Sequence, residues 1–174
     1  MSIVYTNIPY GSNTLRQNLN ILLRTYPFLN LQTVGNSVLG NPIYVIKLGR
    51  GPKKVFYSAS IHANEWITSP ILMKFIEDYC ISYVNGSNLY GYSVRNLFNS
   101  TSIYIMPMVN PDGVDLVTGN LAVSSPNYQK ALHIANQFSS IPFPSRLESK
   151  YKWCGFKKLP TIISKSYNCL IIRL

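Results

Sequence analysis

The sequence predicts an α/β fold in which helices flank a central β-sheet. Residues 55–61 form an apolar run rich in β-branched and aromatic side chains, as expected for a strand in the middle of a sheet. Residues 67–84 then place apolar side chains on one helical stripe, formed by Ile67, Ile71, Leu72, Phe75, Ile76, Tyr79 and Cys80. A strand followed by an amphipathic helix is a common unit of α/β proteins.

A helix and two strands are predicted before this unit. Asn13 or Thr14 can cap a helix that runs to about Arg24. Residues 31–38 and 43–48 are typical of two strands joined by a Gly-Asn-Pro turn. The helix would pack through an apolar face formed by Leu15, Leu19, Leu22 and Leu23.

Three further elements are predicted after the long helix. A short helix is expected around residues 94–98, and residues 101–108 have the composition of another strand. Asp112 and Gly113 indicate a structural turn, because Asp can bond its own main chain and Gly accepts positive φ. Residues 126–138 have helical spacing and predict a last helix.

His62 and Glu65 are the candidate metal ligands. They follow the predicted strand, where open α/β folds place their ligand sites, and Zn²⁺ favours such nitrogen and oxygen donors. The alternative is a surface histidine beside a glutamate that favours the dipole of a starting helix. His133 is the other histidine, and we expect a helix-surface or half-buried side chain there rather than a ligand.

Two sequence blocks resemble known motifs. Residues 62–68, His-Ala-Asn-Glu-Trp-Ile-Thr, resemble the first zinc-binding motif of the zinc carboxypeptidases, the carboxypeptidase A/B-like superfamily. Residues 102–115 resemble the next strand of that family and its Asn-Pro-Asp-Gly turn. Asn64 stands where pancreatic-type members carry Arg, and this variant is similar to bacterial members that cleave γ-D-glutamyl-diaminopimelate bonds in peptidoglycan stem peptides. The resemblance covers about residues 10–145.

The resemblance implies a mixed central β-sheet flanked by helices, incomplete at the C-terminus because the family's domain is considerably longer. It implies one Zn²⁺ held by two His and one Glu, with His62 and Glu65 as the first two ligands. The third ligand (the second His), the general-base Glu and a substrate-holding Arg have no counterpart here. We therefore expect weak zinc binding and no catalytic residue in this chain, and no substrate-binding residue can be assigned. The resemblance places Asp112 beside the cleft without making it a catalytic acid.

The charge of the chain is concentrated in its last part. The net charge is +10, yet residues 1–145 carry nine Lys/Arg and five Asp/Glu, whereas residues 146–174 carry seven and one. We therefore assign residues 1–145 to the N-terminal part of a zinc carboxypeptidase domain and residues 146–174 to an aberrant basic tail. Read one nucleotide later, codons for residues 147–156 permit Trp-Lys-Ala-Asn-Ile-Asn-Gly-Val-Asp-Leu, which resembles the family's next segment. This indicates a frameshift near residues 145–146 and premature termination, which sequencing of the gene would test.

The cysteines and the N-terminal residues indicate the cellular compartment in which the protein is expected. Three cysteines with no Cys-x-x-Cys spacing do not form a disulfide framework, and Cys80 is expected to be a small core residue. The first residues lack the basic and apolar regions of a signal peptide, and no segment reaches the roughly 20 apolar residues that span a bilayer. We expect a cytoplasmic protein with no membrane partner, although the resemblance implies relatives that act on the cell wall.

Three hypotheses for function remain. The first is a truncated, impaired zinc metallocarboxypeptidase-family protein whose relatives hydrolyse peptide bonds, with stem peptides as the substrate. The second is a non-catalytic peptide- or wall-binding remnant of the same fold. The third is a basic nucleic-acid-binding protein, which we do not favour because the charge lies in the tail; deletion of residues 146–174 would test it.

Overall fold

The computed structural model describes residues 2–136. In this part of the chain a 3₁₀ turn, Ala63–Glu65, precedes the long helix. The helices are α1 (Ser12–Thr25), α2 (Thr68–Asn85), α3 (Val94–Ser100), α4 (Pro111–Thr118) and α5 (Pro126–Asn136). The strands are β1 (Asn30–Asn36), β2 (Pro42–Leu48), β3 (Lys53–Ser58), β4 (Asn88–Leu89), β5 (Tyr92–Ser93) and β6 (Thr101–Met106).

The main sheet is mixed, as predicted. Its strand order is β1-β2-β6-β3. β1 and β2 form an antiparallel hairpin, and β2 also runs antiparallel to β6. β3 pairs with β6 in parallel, with Val55 opposite Ile103. The parallel pair requires a crossover, which α2 and α3 provide between β3 and β6.

One main core joins the helices to the sheet. Alternate residues of β2 and β6 meet the apolar stripes of α1 and α2, because strand side chains repeat every second residue and helical ones every three or four. The predicted face of α1 is confirmed, with three of its leucines buried and Leu23 partly buried beside them. The buried core side chains from these four elements are Leu15, Leu19, Leu22, Ile46, Leu48, Met73, Ile76, Tyr79, Cys80, Ile103 and Ile105.

Cys80 lies in this core, as predicted. It is fully buried, and burial, together with the nearby charge of Glu77, raises the pKa of the Cys80 thiol to about 12. A thiol with such a pKa stays protonated at neutral pH and packs as a small apolar group.

The prediction of a central position for the strand before His62 is wrong for the described residues. β3 lies at the edge of the sheet, with Phe56 43% and Tyr57 40% exposed. Neighbouring strand residues point to opposite faces, so both faces of β3 are open. The predicted apolar stripe is also only partly buried. Ile76, Tyr79 and Cys80 are buried, whereas Ile67 and Ile71 are exposed.

The predicted cap of α1 is corrected by a long-range contact. α1 begins at Ser12 and its N-cap residue is Gly11, which has no side chain that could make a capping bond, so neither Asn13 nor Thr14 is the cap. The carboxylate of Asp115 on α4 accepts hydrogen bonds from the Ser12 backbone N–H at 2.7 Å and the Ser12 hydroxyl at 2.6 Å. A carboxylate from another element therefore satisfies the start of α1.

The predicted turn at Asp112 and Gly113 is instead the first turn of α4. The Asn110 side chain caps this helix by accepting from the Gly113 N–H at 2.9 Å, and Pro111 occupies the first turn, where its missing N–H costs nothing. The Asn-Pro-Asp-Gly sequence is thus a helix start.

The other predicted elements agree with the structure to within a few residues at their ends. Among residues 2–136, no helix has the length and apolar character needed to cross a membrane. The basic tail, the boundary at residue 145, Cys154 and Cys169 lie outside the described residues.

Candidate metal centre

His62 and Glu65 lie on one short turn beyond the carboxyl end of β3. His62 directly precedes the 3₁₀ turn and Glu65 closes it, and the Glu65 N–H donates to the His62 carbonyl at 3.0 Å. Both side chains are exposed. Two residues, Trp66 and Ile67, then lead into α2, so Glu65 precedes the α-helix.

α4 packs against the turn that carries both candidate ligands. Its Asp112 is 2% exposed and anchors the loop between β1 and β2. The Asp112 carboxylate accepts from the Ser37 hydroxyl at 2.6 Å, the Leu39 N–H at 3.0 Å and the Asn41 side-chain amide at 2.9 Å. These bonds give Asp112 a structural role.

Several hydroxyl groups around the turn were missed from the sequence. Ser60 is 2% exposed and has φ of 52°, in the left-handed region that residues other than Gly rarely occupy. Thr68 and Ser69, in the first turn of α2, bond to it. The signal available in the sequence was small: Ser60 lies two residues before the His-Ala-Asn-Glu segment, and Thr68 and Ser69 lie three and four residues after it.

The donor chemistry of this turn fits zinc in part. An imidazole nitrogen and a carboxylate oxygen are two of the three protein ligands that a catalytic zinc site requires. Within residues 2–136, no group of three or more His, Cys, Asp or Glu side chains comes together as a metal site. His133 therefore does not complete one with His62 and Glu65; it lies on α5 with its side chain exposed. Coordination of one ion by His62 and Glu65 stays a prediction.

Comparison with known proteins places this turn in a family context. A family model described as zinc carboxypeptidase matches residues 15–135, which include the 3₁₀ turn and its two candidate ligands. The chain is 45% identical over 108 residues to γ-D-glutamyl-L-diamino acid endopeptidase 1 of Lysinibacillus sphaericus, an alignment that covers 62% of this chain and 27% of that protein. It is 32% identical over 111 residues to a zinc carboxypeptidase of Saccharothrix mutabilis subsp. capreolus, covering 59% and 24%.

Solved structures agree on the fold. A crystal structure of thrombin-activatable fibrinolysis inhibitor matches with a TM-score of 0.57 and 25% identity, over 66% of this chain and 28% of that one. Carboxypeptidase A from Helicoverpa armigera matches with a TM-score of 0.54 and 22% identity, over 68% and 28%. The chain thus spans less than a third of the length of these relatives.

Proposed function

This chain belongs to the zinc carboxypeptidase family, and from that premise we propose that it represents part of a zinc-dependent peptide hydrolase acting on peptides with a γ-D-glutamyl-diamino acid bond. The family is one of hydrolases that use zinc. The substrate proposal is supported by the 45% identity to a γ-D-glutamyl-L-diamino acid endopeptidase. Asn64, in the variant of the motif that resembles the bacterial branch, supports the same substrate.

The observation that carries the proposal is the turn after β3. His62 and Glu65 lie on either side of two residues at the exit of a sheet strand, within the segment matched by the family model. They would be two of the ligands of the zinc ion. When bound, zinc would supply Lewis-acid polarisation of the scissile carbonyl. Their exposure leaves the side chains accessible to an ion and to substrate.

Among residues 2–136, too few ligands come together for a catalytic zinc site of the usual kind. The only histidines of the chain are His62 and His133, and the described residues contain no third ligand beside His62 and Glu65. Glu148 is the only acidic residue after Asp115, and it lies outside the described residues. Two protein ligands hold zinc less tightly than three, so we expect weak zinc binding and little or no peptide hydrolysis by the 174-residue chain alone.

Zinc titration of the full chain tests the proposed ligands. Binding should be weak in the unmodified chain, lost in His62→Ala and in Glu65→Ala, and unchanged in His133→Ala, which removes the other histidine. Equal binding by His62→Ala and the unmodified chain would contradict the zinc assignment.

Hydrolysis is tested separately with a synthetic γ-D-glutamyl-diaminopimelate peptide and added zinc. We expect no turnover above that of His62→Ala. Turnover that disappears both with a chelator and in His62→Ala would show that the chain is an active enzyme and that the expectation of impairment is wrong.

The second candidate is a remnant that binds peptide or cell wall without catalysis. It is favoured by the lack of a third ligand among the described residues. Peptide binding measured with and without a chelator separates the two candidates: a binding remnant holds the peptide equally well in both conditions, whereas a zinc-dependent site loses it when zinc is removed.

A further inference from the structure

The backbone just before His62 adopts a conformation that needs outside support. Ser60 has φ of 52°, although it carries a Cβ, and its side chain is almost fully buried. This left-handed conformation costs about 1–2 kcal/mol for a residue other than Gly. Such a conformation persists only where surrounding bonds impose it.

The Thr68 hydroxyl connects Ser60 to residues 62–65, the turn that carries the two proposed zinc ligands and is here called the ligand turn. The Ser60 N–H donates to the Thr68 hydroxyl oxygen at 3.0 Å. The same Thr68 hydroxyl donates to the Glu65 carbonyl at 2.7 Å. Through these two bonds, Thr68 holds the backbone on both sides of His62: at Ser60, two residues before it, and at Glu65, three residues after it.

A second set of bonds ties the same residue to the loop between β6 and α4. The Ser69 hydroxyl donates to the Pro107 carbonyl at 2.6 Å, and the hydroxyls of Ser60 and Ser69 are 2.6 Å apart. Because a serine has one hydroxyl proton, Ser60 is the donor to Ser69. The Ser60 carbonyl in turn accepts from the Asn110 N–H at 3.1 Å.

We propose that Ser60, Thr68 and Ser69, here called the hydroxyl cluster, are positioning residues for a zinc site at His62 and Glu65. The cluster fixes both ends of the ligand turn against the start of α2 and the β6–α4 loop. It acts through the backbone and does not itself touch the metal. This inference rests on the proposed function, because it assumes that His62 and Glu65 bind zinc.

The hydroxyl cluster would strengthen zinc binding because it reduces the entropy lost when the ligand turn becomes ordered around the ion. A metal site formed from a loose turn must restrict that turn when the ion binds, and this lowers the apparent affinity. A turn already held by hydrogen bonds avoids that cost. Loss of residues that orient metal ligands typically weakens metal binding by about 10–100-fold.

Thr68→Val and Thr68→Ser form a matched pair for the test. Valine keeps the shape of threonine without its hydroxyl, whereas serine keeps the hydroxyl. Zinc is titrated into the full chain and followed by NMR through the imidazole signals of His62, with those of His133 as an internal reference. We expect the apparent zinc Kd of Thr68→Val to rise by about 10-fold and that of Thr68→Ser to stay near the unmodified value.

The controls separate this inference from the proposed function. If His62→Ala does not reduce zinc binding, the proposed metal site itself fails. If His62→Ala abolishes binding but Thr68→Val binds like the unmodified chain, only the positioning role is wrong. Circular dichroism checks that each variant is folded; should Thr68→Val unfold, Ser69→Ala replaces it, and unchanged zinc affinity in Ser69→Ala would overturn the inference.

Discussion

Glu77 lies on α2 with 1% of its surface exposed, although acidic side chains usually stay in water. Its carboxylate accepts from the Ser2 hydroxyl at 2.8 Å and the Ile3 N–H at 2.5 Å, and forms an ion pair with Lys74 at 2.9 Å. Burial alone would raise the pKa of Glu77, but the hydrogen bonds from Ile3, Lys74 and Ser2 outweigh it and hold the pKa below its usual value. Glu77 thus anchors the N-terminal segment in its ionised form.

The lowered pKa of Glu77 predicts how the stability of the protein changes at acidic pH. A depressed carboxyl pKa stabilises the fold above the unfolded-state pKa of about 4.3, and this stabilisation is lost as pH falls through the folded-state value. Glu77→Gln should lower the free energy of unfolding by about 2 kcal/mol at neutral pH, with a smaller difference in acid. Urea unfolding of the unmodified chain and of Glu77→Gln at several pH values measures the difference in stability at neutral and at acidic pH.

Asp78→Asn is the control for Glu77→Gln, because Asp78 binds the same Lys74 at 2.9 Å from a more exposed position. Its effect should stay within about 0.5 kcal/mol. A difference between the Glu77→Gln chain and the unmodified one that does not shrink in acid would contradict the proposed ionised anchor.

At the scale of elements, α1 depends on α4. The Ser12 N–H and hydroxyl both bond to Asp115, which is 8% exposed. Gly11 leaves room for this contact, since an added Cβ would lie 2.9 Å from an Asp115 carboxylate oxygen and closer still to the Asn120 side chain. Contacts with α4 therefore help to stabilise the first turn of α1.

Removal of the Asp115 carboxylate should loosen α1 specifically. We expect Asp115→Ala to lower the free energy of unfolding by about 2 kcal/mol, the range for hydrogen bonds to a charged group. Hydrogen exchange should become faster in the first turn of α1. Asn13→Ala changes an exposed residue that the sequence pattern suggests as the cap, and it should change the free energy of unfolding by less than about 0.5 kcal/mol. A larger loss from Asn13→Ala than from Asp115→Ala would contradict the assignment of the cap.

At the scale of the molecule, exposed apolar side chains lie on and beside the β3 edge. Phe56 and Tyr57 are exposed on opposite faces of this strand. Tyr57 also lines an open groove with Ile71, Leu72 and Phe75 of α2. An edge strand with unpaired backbone groups and exposed aromatic residues is a site for pairing with other chains.

We therefore expect the full chain to self-associate through β3. Light scattering should show association that increases with protein concentration and is reduced in Phe56→Lys, because a charged side chain at an edge opposes strand pairing. Val34→Lys, at an exposed apolar position on the opposite edge strand β1, is the matched control and should have less effect. A monomer at high concentration, or equal effects of both changes, would contradict association through β3.

The sequence alone determined most element positions and the segment that carries His62 and Glu65, because helical spacing, alternating strands and turn residues are local properties. It did not determine that β3 lies at an edge, that Asp115 caps α1, or that Ser60 holds a left-handed backbone. Ser12 and Asp115 are 103 residues apart, and the support of Ser60 comes in part from Pro107 and Asn110. Only the tertiary structure decides such contacts, because they depend on which elements meet in space and not on any local pattern.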